Sequence, residues 1–199
     1  MIRQTWRRWG QLLGIGVVPL LLLGCSFARP SGALAQEHQA LAAIPASLGL
    51  DGGASGYQAG GTLGFRLIDT PIQEQLYTRS AGSERGVLWS AEFVSHWPLD
   101  EGQLDRWSAQ AIGLLADALG NDVRLAGYDR LDASDIGDQR VAYRYQLATA
   151  DGQPLGDATI VVFARGDQVG LTGSGGVGAR APVDAASLAR TLDRGATRG

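Results

Sequence analysis

Lysine is absent from the 199 residues, cysteine occurs once and histidine twice. A single cysteine cannot form an intramolecular disulfide, and Cys25 with His38 and His96 cannot assemble a cysteine-rich zinc site, so no metal centre is expected. All 17 basic residues are arginines, set against 20 acids, and Arg3, Arg7 and Arg8 stand in the first ten residues. From residue 25 onward 14 arginines face 20 acids, a net of -6. That balance offers no basic footprint for phosphate backbones, and nucleic-acid binding is not expected. What remains, 45% hydrophobic and 19% charged, is the profile of one ordinary globular domain.

The start of the chain reads as an address. Met1 to Gly10 carries three arginines and no acid, and Gln11 to Gly24 is almost wholly apolar around Leu20 to Leu23, the pattern of an export signal too short to span a membrane comfortably. The run ends in Leu22-Leu23-Gly24-Cys25, which resembles the lipobox of bacterial lipoproteins. The resemblance implies cleavage after Gly24 and a thioether from Cys25 to diacylglycerol, whose chains contribute about 0.8 kcal/mol per buried methylene to membrane binding. The competing reading is a secretory signal cut after Ala33-Leu34-Ala35, leaving Gln36 first. The expected organisation is a signal peptide over 1–24, a lipidated cysteine and flexible tether over 25–58, one domain over 59–194 and a tail over 195–199. Ala, Gly, Ser, Pro and Gln dominate the tether, and the Asp51-Gly52-Gly53 cluster breaks any helix there.

In the domain, Leu63, Phe65 and Leu67 alternate as in a strand with one buried face. Ile72 to Thr78 and Val87 to Val94 predict a hairpin, with Val87, Trp89, Ala91 and Phe93 on one face. Asp100 caps a helix whose Leu104, Trp107, Ala111, Leu114, Leu115, Ala118 and Leu119 recur at spacings of three and four up to Gly120. Strands are predicted at Val123 to Arg130, at Arg140 to Ala148 with Val141, Tyr143, Tyr145 and Leu147 together, at Thr159 to Ala164, and after a Gly166-Asp167 turn at Val169 to Thr172. Gly173 to Gly178 reads as a mobile connector to a short helix, Asp184 to Arg194. This order gives an α+β fold, an antiparallel sheet with a long central helix and a C-terminal helix.

Over residues 86 to 194 the chain resembles the PsbP-like superfamily. The resemblance rests on a helix starting at Leu99-Asp100-Glu101, the Arg140-Val141-Ala142-Tyr143-Arg144-Tyr145 strand, and the Asp151-Gly152-Gln153-Pro154-Leu155 turn. The Ile160 to Arg165 strand, the Gly166-Asp167 turn and a final helix complete it. It implies a non-enzymatic α-β-α sandwich. The chain departs from that group at its start and where Gly173 to Gly178 interrupts the expected last strand.

Catalytic patterns fail on their own requirements. Gly173, Gly175 and Gly178 satisfy G-x-G-x-x-G, but the 21 residues after Gly178 leave no room for a second parallel strand with its ribose-binding acid. A phosphate caught by the loop's N–H groups with Arg180 nearby is the sharper rival to a plain connector. Thr172 to Gly176 approximates a nucleophile elbow, yet no histidine follows His96. His96 reads as a strand-end residue. Asp129, Asp132, Asp135 and Asp138 recur every three residues, not in the alternation of a calcium loop, and read as turn-forming acids. Trp89 and Trp107 read as core.

Together these features predict a non-enzymatic, membrane-anchored accessory or assembly lipoprotein without cofactors. It would face the periplasm, or a thylakoid lumen, and act on a protein partner in the envelope or thylakoid. The alternative is a carrier of a small apolar or lipid ligand in a cavity between sheet and helix.

Overall fold

The computed structural model of the chain describes residues 56–178 and 183–196. Cys25, the leader, the tether up to residue 55 and Arg180 lie outside the described residues.

Seven strands form one antiparallel sheet. In chain order they are β1 (Gln58–Gly61), β2 (Gln73–Ala81), β3 (Glu84–Val94), β4 (Arg124–Arg130), β5 (Gln139–Ala148), β6 (Pro154–Arg165) and β7 (Gln168–Val177). Across the sheet the order is β1-β2-β3-β7-β6-β5-β4, so β7 and β6 are central and β1 and β4 are edges. Helix α1 (Glu101–Leu119) carries the chain from β3 over β7, β6 and β5 to the far edge. Helix α2 (Ala185–Ala196) packs on β6 and β7.

The alternation read from the sequence divides the core. Val87, Trp89, Phe93, Leu171, Ile160, Val162, Val141 and Leu147 meet Leu104, Trp107, Ala111, Leu115 and Leu119 of α1. Leu88, Val161 and Phe163 point to the opposite face, where Leu188 and Leu192 of α2 and Ile136 cover them. At the head of α1 the Asp100 carboxylate accepts the Gln103 amide at 2.7 Å, which satisfies one of the free N–H groups of the first turn. Leu114 is only half buried and Ala118 is exposed, while Ser108 and Ile112 complete the inner stripe instead. At the β6–β7 hairpin Gly166 has φ +61° and Asp167 is not left-handed, the glycine-first turn expected.

Three expectations are corrected. The fold is mainly β, about 48% strand and 22% helix among the described residues, so the α+β, PsbP-like sandwich with a long central helix does not describe it. Part of the difference lies in Gly173 to Gly178, expected as a connector. Residues 173–177 instead continue β7, pairing with β3 through Arg85↔Val177 and with β6 through Gly156↔Val177. The glycines serve packing, because a Cβ at Gly173 would stand 2.6 Å from Leu115 Cδ1, and one at Gly175 would stand 2.8 Å from Leu115 Cδ2 and 2.9 Å from Leu119 Cδ1. Helix α1 thus rests on bare strand backbone. The amides of that run belong to the sheet ladder, which removes both the phosphate cradle and the nucleotide fingerprint.

The third correction concerns Leu63, Phe65 and Leu67. They do face the core, with Phe65 fully buried against Trp89, but in an irregular segment rather than a strand. Gly64 at φ +76° turns the chain out of extended geometry. The segment is held by side chains: Glu74 accepts both the Leu63 amide and the Trp89 indole N–H, at 3.1 and 2.9 Å, and Gln110 donates to the Arg66 carbonyl.

Candidate functional site

The residues weighed for chemistry do not converge. His96 is exposed just beyond the end of β3, and Ser174 is buried within β7. The four spaced aspartates separate. Asp132 accepts the Ser134 amide in an Asx turn, Asp135 pairs with Arg190, Asp138 accepts the Gly166 amide, and Asp129 lies on β4. Among the described residues no group of three His, Cys, Asp or Glu side chains is placed to hold a metal ion. Trp89 and Trp107 are core, Trp107 edge-on to Phe93 at 5.1 Å.

The surface feature that stands out is aromatic. Tyr128 on β4 is 67% exposed and Leu125 is 43% exposed. In a regular strand, residues three apart face opposite sides. Here the register slips between Leu125 and Gly127, so that Leu125 pairs with Leu147 and Tyr128 with Tyr145, and both point to the α1 face. The bulge at Ala126 re-aims them. The Tyr128 ring meets Tyr143 edge-on at 5.6 Å and Tyr145 at 5.7 Å, and the latter two lie 6.1 Å apart. Each such contact contributes about 0.5 to 1.5 kcal/mol beyond area burial. The result is a ledge of Leu125, Tyr128, Tyr145 and Tyr143 along the sheet edge beside α1.

Helix α1 gives the ledge its charge. The Tyr143 hydroxyl donates to Asp105 at 2.7 Å. Burial first, and this bond second, push the Tyr143 phenol up to about 12, so it remains a proton donor throughout the ordinary pH range. Burial also raises Tyr145. Arg130, at the end of β4, forms an ion pair with Glu101 at the start of α1. The same pair also borders a groove of about 690 Å³ lined by Glu101, Arg130, Leu131, Ser134, Gln139 and Arg140, which none of the ledge residues enters. Within the groove Arg140 donates to the Ile136 and Gly137 carbonyls at 3.2 and 3.0 Å. Sheet extension at β4 is opposed by the bulge and by Arg124, Asp129 and Arg130, which guard the edge. The ledge therefore offers its face, not its backbone.

Sequence reasoning placed Tyr143 and Tyr145 on one face of β5 but missed the site, because Tyr128 joins them only through the bulge. The available signal was Ala126-Gly127 inside an otherwise strand-like run, since glycine within a strand marks a bulge. No protein-family model, curated protein or solved structure matches the chain.

Proposed function

We propose that the protein is a non-enzymatic docking module, held at a bilayer through lipidated Cys25 and engaging a protein partner of the envelope or thylakoid with its tyrosine ledge. The observation that carries the reading is that exposed Leu125 and Tyr128 share one face with half-buried Tyr143 and Tyr145, on whose rings Tyr128 rests. Single exposed apolar residues are ordinary, but clustered tyrosines are enriched where proteins bind one another, since each ring brings a large area at small entropic cost. Leu125→Ser, Tyr128→Ser and Arg144→Ser separate the ledge from the opposite face, because Arg144 stands on β5 pointing away from α1. In native gels of detergent-solubilised membranes the wild type and Arg144→Ser should migrate in one complex larger than the 20.9 kDa chain. The Leu125→Ser/Tyr128→Ser pair should run alone. Identical migration of all three would remove the ledge from the function. Helix α1 rests directly on the Gly173 and Gly175 backbone, at a point where the carrier reading would place a cavity.

A further inference from the structure

We propose that the ledge receives an arginine side chain of its protein partner, stacked on the tyrosine rings with its guanidinium turned to Asp105, an assignment that rests on the docking reading above. Three observations lead there. First, the rings touch one another at 5.6 to 6.1 Å between centroids, so nothing enters between them and an occupant must lie on their outer faces. An aromatic cage for a compact ammonium needs an opening that this packing closes. A planar group needs only a face, and guanidinium is the planar side-chain cation that stays charged at every ordinary pH, unlike imidazolium.

Second, the hydrogen bond from Tyr143 to Asp105 engages one carboxylate oxygen, and the other accepts no hydrogen bond among the described residues. A phenol that donates to a carboxylate has a more electron-rich ring, which strengthens attraction for a cation over its face. Third, the local arginines are already committed or turned away. Arg130 is bound to Glu101, and Arg106, one residue beyond Asp105, donates to Gln103. Arg124 and Arg144 are on the opposite face, with Arg124 donating to the Asn121 and Val123 carbonyls. Glu101 and Asp105 against Arg130, whose charge also reaches Asp105, leave one net negative side-chain charge at the ledge, which complements a cation and repels an acid.

The test is calorimetry on the full-length chain in a neutral detergent, titrated with three capped octapeptides: (Gly-Arg)4, (Gly-Lys)4 and (Gly-citrulline)4. Citrulline keeps the shape of arginine and removes its charge. The arginine peptide should bind most tightly and the citrulline peptide least. Tyr128→Ala should weaken the arginine peptide by about two- to fivefold, the range expected of one exposed cation–π contact, and Asp105→Asn by up to about fivefold, that of one exposed ion pair. Tyr128→Phe should retain binding, because the ring and not the hydroxyl makes the contact, and Arg144→Gln should not weaken it. Equal binding of the citrulline peptide, indifference to Tyr128→Ala and Asp105→Asn, or no binding of any peptide would overturn the assignment. A native complex that is lost with Leu125→Ser/Tyr128→Ser but unaffected by Asp105→Asn would overturn the arginine and leave the docking surface standing.

Discussion

Replacing Gly175 by alanine tests the arrangement of the core most sharply. The added methyl would stand 2.8 Å from Leu115 Cδ2, 2.9 Å from Leu119 Cδ1 and 3.3 Å from Ala158 Cβ. Both leucines are fully buried, so neither can rotate away without displacing a neighbour. Overpacking of this size costs about 1 to 3 kcal/mol and the reduced freedom of the unfolded chain returns about 0.4 to 1 kcal/mol, so the net loss lies between about 0 and 2.6 kcal/mol, with about 1 to 2 kcal/mol at its middle. At about 3 °C per kcal/mol for a domain of this size, the melting temperature should fall by about 3 to 6 °C. Gly113→Ala is the matched control with the opposite sign. It sits in α1 with nothing within 4 Å of a new Cβ, and should gain up to about 1 kcal/mol. Urea unfolding followed by tryptophan fluorescence measures both. Leu119→Ala in the Gly175→Ala background should cost less than in the wild type by about 1 kcal/mol or more, since it removes one of the two clashes. A Gly175→Ala protein as stable as Gly113→Ala would refute the packing, because that is how a flexible connector behaves.

Further outcomes follow from the ion pairs, the core and the leader. Asp193, 6% exposed, accepts Arg165 Nε and Nη2 at 2.6 and 2.7 Å and the Gly137 amide at 3.2 Å, and the arginine holds its carboxyl below the usual 3.8. Its folded-state pKa is depressed, so the stabilisation is complete above about pH 4 and is lost as pH falls through the lower folded value. Asp193→Asn should lower the urea midpoint at pH 7 by the equivalent of about 1 to 2 kcal/mol, discounted because Arg165 is one-third exposed, and should flatten the acid loss. An unchanged acid limb would contradict the linkage. Trp107→Ala, which empties a site 3% exposed against Phe93, should cost about 3 to 5 kcal/mol by the same unfolding assay. A loss under about 1 kcal/mol would mean that α1 is not seated on the sheet. Cys25→Ser should move the protein from the membrane to the soluble fraction. Mass spectrometry finding an unmodified N-terminus at Gln36 in the wild type would contradict lipidation.

Where a single period ran through an element, the sequence was enough to locate it. The spacing of Leu104, Trp107, Ala111, Leu115 and Leu119 placed α1, and the alternation of Val141, Tyr143, Tyr145 and Leu147 set the inner face of β5. Reading failed where a residue's meaning depended on a distant neighbour. Gly173, Gly175 and Gly176 look like a connector by local entropy, and only pairing with β3 and β6, with Leu115 and Leu119 seated over Gly173 and Gly175, makes the run a strand. This misreading turned the second half of a central strand, whose first half at Val169 to Thr172 was expected, into a loop. Leu63, Phe65 and Leu67 carried a true burial signal, but their backbone is held by Glu74 and Gln110, contacts that periodicity does not register. The ledge was hidden for a similar reason: one bulged residue changes which face Tyr128 takes.

The central claim, that the Tyr128 face meets a partner protein, is tested most directly by a photo-crosslinking amino acid placed at position 128 or 144 in intact cells. Both positions are exposed, and they point to opposite faces of the β4–β5 pair. Illumination should yield one discrete adduct from position 128, absent from position 144, with the cross-linked peptide identified by mass spectrometry. The same adducts from both positions, or none from 128, would contradict the claim.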